Sequence, residues 1–277
     1  MCLFGQVALC ILLLALSARS EVPHEIRFRY RDGLIWLKAE VPGNKESLNF
    51  LLDSGAGISV LDFRRARALG MKLGNPEAVQ GVNGAAIAYR VDDFRAESGG
   101  TALPKSMLAT DLQTISTCCH QHVDGILGVD FFRGRIVQID FAARRVRILQ
   151  RDGLSLANCE ILPIKMCNDA FCVPVRVAEN RAQWMRLDTG CDACLDWVLS
   201  GPGRRLTKGT SFGLSHFSGK RAKTNVQIGE QRFMVAAAVH EEPIFSGEGG
   251  LLGNGLLSNF RLTIDEPGNK VIFERNR

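Results

Sequence analysis

The chain has 277 residues, 46% of them hydrophobic and 23% charged, with 34 Lys and Arg against 29 Asp and Glu for a formal charge of +5. That length suffices for one large domain or two. The positive excess is scattered over Arg64-Arg65, Arg144-Arg145, Arg204-Arg205 and Lys220-Arg221-Lys223, each in an expected loop, helix or edge strand, which is the pattern of a solvated surface. No aromatic residues interleave with these runs, so nothing argues for a nucleic-acid partner.

Residues 1–20 have the form of a secretory signal peptide. Val7 to Leu16 is an apolar run of signal length, too short to span a bilayer as a stable helix. Small residues follow at Ser17, Ala18 and Ser20, and Ala18-Arg19-Ser20 fits a cleavage site. The first residues carry no Lys or Arg, which leaves an uncleaved N-terminal anchor as the alternative.

Leu34 to Val41, a turn at Pro42 to Glu46, and Leu48 to Leu52 predict a hairpin that runs into Phe50-Leu51-Leu52-Asp53-Ser54-Gly55-Ala56. A buried strand does not normally end in a lone carboxylate, because burying an unpaired charge is costly. Two carboxylates brought together avoid that cost by sharing a proton. A short helix is expected from Asp62 to Leu69, with Asp62 as N-cap, Phe63, Ala66 and Leu69 inward, and Gly70 as C-cap. Gly81-Val82-Asn83-Gly84 separates two extended runs as a hairpin tip would. Then come Gly125-Ile126-Leu127-Gly128-Val129-Asp130-Phe131-Phe132, Ile136 to Asp140, and a last strand from Arg145 to Leu149.

Past a turn at Arg151-Asp152-Gly153, the same blocks return in the same order. Phe171 to Val177, a turn at Glu179 to Arg181, and Gln183 to Leu187 lead into Met185-Arg186-Leu187-Asp188-Thr189-Gly190-Cys191, 135 residues after the first Asp (188 − 53). Asp196 to Leu199 is the expected shorter counterpart of the helix. His216-Phe217-Ser218-Gly219 matches the hairpin tip, since Gly84 and Gly219 both lie 31 residues past their Asp (84 − 53 and 219 − 188). Gly250-Leu251-Leu252-Gly253 and Arg261 to Asp265 repeat the later blocks at an offset of 125 (253 − 128), and Lys270 to Glu274 repeats the last strand. The expectation is an all-β, mainly antiparallel protein of two pseudo-symmetric lobes, residues 21–152 and 153–277, with short helices.

These blocks resemble the aspartic peptidases of the retropepsin-like and pepsin-like superfamily. The matching pieces are the apolar-Asp-Ser/Thr-Gly loop, the hairpin flap and the apolar-apolar-Gly segment, once per half over roughly residues 26 to 274. Each half is about as long as a retropepsin subunit, so the likeness is to two fused retropepsin-like units. The resemblance implies β-barrel lobes, Asp53 and Asp188 as catalytic residues, and Ser54, Gly55, Thr189 and Gly190 as supports of the two loops. It implies a flap at Gly81 and Gly84 and another at Gly219. It further implies a peptide or protein substrate, no metal or cofactor, and an active monomer that contains its own pseudo-dimer. Where pepsin-like enzymes carry Ser or Thr after the Gly, this chain has Ala56 and Cys191.

Of nine cysteines, Cys2 and Cys10 lie in the leader. Cys167 and Cys172 flank a hairpin tip and suit a cross-strand disulfide. Cys191-Asp192-Ala193-Cys194 is a CxxC, and Cys118-Cys119-His120-Gln121-His122 is a dense cluster; pooled they could form a zinc site, but the spacings match no zinc pattern well and the clusters fall in different lobes. The signal and the cysteines point to export into an oxidising compartment. The absence of any Asn-x-Ser/Thr favours a bacterial periplasm over a eukaryotic secretory route. Two other readings stand beside the peptidase: a catalytically inactive two-lobed protein that binds a peptide or partner, and a redox protein built on the CxxC. No thioredoxin-like βαβ pattern surrounds the latter motif.

Overall fold

The structure is a computed structural model and describes residues 24–81, 84–151, 154, 158–198, 220–240 and 245–276. The expected signal segment, the tip residues Val82 and Asn83, Leu199 and the expected second flap tip at Gly219 lie outside the described residues. In the first half the strands are β1 (Glu25–Arg31), β2 (Leu34–Ala39), β3 (Leu48–Leu52), β4 (Val60–Asp62), β5 (Leu73–Gly81), β6 (Gly84–Val91), β7 (Glu97–Ser98), β8 (Thr101–Ala102), β9 (Met107–Thr110), β10 (Gly125–Leu127), β11 (Ile136–Asp140) and β12 (Arg145–Leu149). In the second they are β13 (Cys159–Pro163), β14 (Lys165–Cys167), β15 (Ala170–Val177), β16 (Gln183–Asp188), β17 (Leu195–Val198), β18 (Lys220–Ile228), β19 (Gln231–His240), β20 (Gly250–Gly253), β21 (Phe260–Asp265) and β22 (Lys270–Arg275). Four short helices join them: α1 (Phe63–Ala68), α2 (Gln113–Cys118), α3 (Val129–Phe132) and α4 (Asn254–Leu257). The fold is all-β, and no helix among the described residues is long and apolar enough to cross a membrane.

The strands that carry the site have nearly continuous apolar sequences because both of their faces are covered. β3 ends on Phe50, Leu51 and Leu52, all buried, with β2 antiparallel on one side. On its other side β10 runs parallel, Ile126 opposite Leu51 and Leu127 opposite Leu52. β16 repeats this with β15 and β20, placing Leu252 opposite Leu187. Gly125 is required in β10, since a Cβ there would enter the Phe50 ring. In the second half β15, β16, β20, β17, β19 and β18 follow one another, and pairing of Val177 with Val226 closes them into a six-stranded barrel.

The other sheet has thirteen strands and crosses from one half to the other through β11 and β21. Their antiparallel register places Gln138 opposite Thr263, flanked by Ile136 with Asp265 and Asp140 with Arg261. Thr263 lies 125 residues after Gln138 (263 − 138), the offset that separates the matched Gly128 and Gly253. Each strand therefore pairs with its own counterpart about a local two-fold between Gln138 and Thr263. Their side chains bond there, the Gln138 amide nitrogen standing 3.2 Å from Thr263 Oγ1. One core spans both halves, with Phe132 edge-on to Phe171 at 5.9 Å between ring centres.

Helix α1 forms where its caps predict it. Asp62 Oδ1 accepts the Arg65 N–H at 3.0 Å, and Gly70 turns at φ +70°. Ala66 is buried, while Phe63 and Leu69 are half-buried. The counterpart expected at Asp196 to Leu199 is not helical. Leu195 to Val198 form β17, which is hydrogen-bonded on both sides, parallel to β19 and antiparallel to β20. Two flanking ladders outweigh the weak capping preference of Asp196.

Candidate active site

β3 and β16 deliver Asp53 and Asp188 to the same point, where the two active loops meet back to back. The loops are laced by reciprocal hydrogen bonds. Ser54 Oγ donates to the Leu187 carbonyl at 2.7 Å and accepts the Thr189 N–H at 3.2 Å. Thr189 Oγ1 donates to the Leu52 carbonyl at 2.8 Å and accepts the Ser54 N–H at 2.9 Å. Each hydroxyl thus satisfies one donor and one acceptor of the opposite loop, groups that would otherwise be buried without partners.

Above this brace the two carboxyls hydrogen-bond to each other. Asp53 is 3% exposed and Asp188 6%, so both have left bulk water. Asp53 Oδ1 accepts the N–H groups of Gly55 at 2.9 Å and Ala56 at 3.0 Å. Asp188 Oδ1 accepts the N–H of Gly190 at 2.9 Å. The glycines face across the seam: a Cβ on Gly55 would strike the Asp188 carboxyl, and one on Gly190 the Asp53 carboxyl. Burial drives both acids up. Asp53 rises to about 6 despite the lowering effect of its hydrogen bond from Asp188 and of the loop N–H groups. Asp188 is pushed well above the usual carboxylate range by burial and by the neighbouring Asp53 charge. The pair therefore holds one proton near neutral pH, shared between the two carboxyls.

Gly81 and Gly84 face each other at the end of the β5–β6 hairpin. Val79 and Ala88 of that hairpin share an apolar cluster with Leu51 and Ala56, so it folds over the first loop. The structure thus gathers Asp53, Ser54, Gly55, Asp188, Thr189 and Gly190 at one place, with the Gly81–Gly84 hairpin above; Gly219 is outside the described residues.

The sequence reading missed two supports. Asn254, fully buried, donates from Nδ2 to the carbonyls of Gly33 and Thr189, both at 2.7 Å, and so ties the β1–β2 turn to the second loop. Arg186 is also fully buried and forms an ion pair with Glu248 at 2.7 Å. Its signal was in the chain: an arginine inside an apolar strand, where the first copy has Leu51. The cysteines differ from expectation as well. Cys167 and Cys172 are thiols in hydrogen-bond contact, not a disulfide, and Cys194 is an unbridged thiol beside Gly255. Among the described residues no three His, Cys, Asp or Glu side chains gather to hold a metal ion.

No curated protein matches the chain. The family model described as aspartyl protease matches residues 37–131, which include β3, the Asp53 loop, the β5–β6 hairpin and β10. Over that segment the chain is similar to the aspartyl protease family.

Proposed function

We propose that the protein is an aspartic endopeptidase that hydrolyses peptide bonds with water activated between Asp53 and Asp188. The observation that carries this reading is the hydrogen bond joining the two buried carboxyls across the braced loops. Ionised Asp53 takes a proton from the water as its oxygen bonds to the scissile carbonyl carbon. Protonated Asp188 donates to the carbonyl oxygen, giving a neutral gem-diol. As that intermediate collapses, the carbon–nitrogen bond breaks, the amine takes the proton held by Asp53, and a diol hydroxyl returns a proton to Asp188. The β5–β6 hairpin, whose Val79 and Ala88 share an apolar cluster with Leu51 and Ala56, would cover a peptide held over the dyad and shield it from water.

The chain acts as a monomer on peptide or protein substrates, its two lobes divided near residues 152 and 153, and it is exported to a bacterial periplasm or secreted after loss of residues 1–20. The reading as an inactive binder would be favoured by a disulfide at Cys191 that distorts the second loop. The unbridged Cys194 and the Gly190 N–H on Asp188 both speak against that distortion. The test is digestion of a mixed peptide library with and without a statine-type transition-state analogue. The parent should cleave, the analogue should stop it, and Asp53→Asn or Asp188→Asn alone should abolish cleavage with the fold intact. Near-parental cleavage by either variant would overturn the dyad.

A further inference from the structure

Two pseudo-equivalent loops need not be chemically equivalent, and the side chain that separates them is Arg186. It precedes Asp188 by two residues, as Leu51 precedes Asp53. Leu51 lies among Trp36, Ala56, Val60 and Ile126 in an apolar cluster. Arg186 is buried with every arm of its guanidinium engaged. Nε donates to Glu248 Oε2 at 2.8 Å and Nη2 to Oε1 at 2.7 Å, and the plane stacks on the Phe245 ring, Cζ 3.5 Å from its centre. Asn168 Nδ2 holds Glu248 from the other side at 2.8 Å. The remaining arm crosses to the first loop, where Nη1 donates to the Gly55 carbonyl at 2.7 Å.

That carbonyl belongs to the peptide unit whose N–H is that of Ala56, and this N–H is a donor to Asp53 Oδ1. A cation bonded to one end of a peptide unit polarises it and strengthens the donor at the other end. The chain of contacts runs from the Arg186 guanidinium through one peptide plane to the Asp53 carboxylate. Leu51 can offer nothing comparable to the second loop. We infer that Arg186 is a positioning residue which, through the Gly55–Ala56 peptide, fixes the first loop and makes Asp53 the ionised partner and Asp188 the proton holder, breaking the symmetry of the two halves. This rests on Asp53 and Asp188 being the working dyad.

Among the described residues the charged and titratable groups around Arg186 are Glu248, its partner from the segment before β20; Asp53 of the first loop; and Asp188 on its own strand. Lys165, Cys167 and Cys172 stand on the β14–β15 hairpin, and Asp196 with His240 lies two strands away, 3.7 Å apart. Arg186 favours the ionised form of both dyad acids, and the opposite charge of Glu248, paired with it at 2.7 Å, should offset part of that effect. Removing both charges should therefore raise the pH at which Asp53 ionises, and removing Glu248 alone should lower it.

The experiment follows the aspartate carboxyls by 13C NMR across pH in the parent, in Glu248→Gln, and in the double variant Arg186→Leu with Glu248→Gln. Asp53→Asn and Asp188→Asn assign the signals. In the parent Asp53 should ionise before Asp188. The double variant should move the Asp53 midpoint up by about one pH unit and narrow the gap between the two acids, while Glu248→Gln moves it down. Midpoints and order unchanged in Glu248→Gln, or moved the same way in both, would show a merely structural arginine and overturn the inference. Because Glu248→Gln keeps the cation and its Gly55 contact, it decides the matter even if the double variant fails to fold. A parent that cleaves no peptide would sink the peptidase reading alone, since the carboxyl titrations would still report on Arg186.

Discussion

Asp53 keeps its proton to about pH 6 because burial disfavours its charge, against an ordinary value of 3.8. An unfolded chain exposes the same carboxyl to water and releases the proton near pH 4. Between those values the folded state binds more protons than the unfolded one, so stability falls as pH rises. Asp188 is shifted in the same direction and deepens that fall at higher pH. The expected loss attributable to Asp53 between pH 4 and pH 7 is on the order of 3 kcal/mol, and Asp53→Asn should remove most of it. Urea midpoints of parent and variant at the two pH values measure this, and parallel pH dependences would contradict it. The functional carboxyl is then also a destabilising one, held in place by the Ser54–Thr189 brace beneath it.

Among the elements, those legible in the sequence are the ones whose pattern and surroundings agree. β11 and β12 have the boundaries expected from Ile136 to Asp140 and Arg145 to Leu149, and β3 and β16 end at the two Asp residues as expected. Helix α1 was legible from Asp62 and Gly70 alone. β17 was not, because Asp196-Trp197-Val198 is too short for periodicity to speak, and only its two neighbouring strands decide its state. Arg186 and Asn254 were not recognised as site residues, since their partners Glu248, Gly55 and Gly33 are distant in sequence and no local rule joins them. The cap of α1 does more than local rules require. Asp62 Oδ2 also accepts the Leu112 N–H at 3.2 Å, anchoring the segment that enters α2. Asp62→Ala removes the partners of two backbone donors at once, so the expected cost is about 2 kcal/mol, the upper end for an N-cap. Chemical denaturation measures it, and a loss under about 0.5 kcal/mol would mean that water replaces both bonds.

On the scale of the whole molecule, the β11–β21 ladder does within one chain what a two-fold interface does between two. An interface between identical subunits is isologous: residue i meets j, and j meets i. Here Ile136 meets Asp265 and Asp140 meets Arg261, with Gln138 and Thr263 at the centre, so the self-complementary contact is made internally. The Phe132–Phe171 contact and the continuous core tie the halves together beyond that ladder. Both carboxyls are supplied by the same chain, and their meeting costs no translational freedom that a second subunit would have to lose. The expected particle in solution is therefore one chain, with specific activity independent of dilution. Light scattering at the concentrations used for assay should give a mass near 30.4 kDa, less any leader removed. A two-chain mass together with activity that falls steeply on dilution would mean that Asp53 of one molecule meets Asp188 of another, as in a swapped dimer. Mixing Asp53→Asn with Asp188→Asn separates the cases. Two inactive monomers stay inactive when mixed, whereas exchanging subunits would restore both carboxyls at one of the two sites of each mixed dimer, about a quarter of all sites.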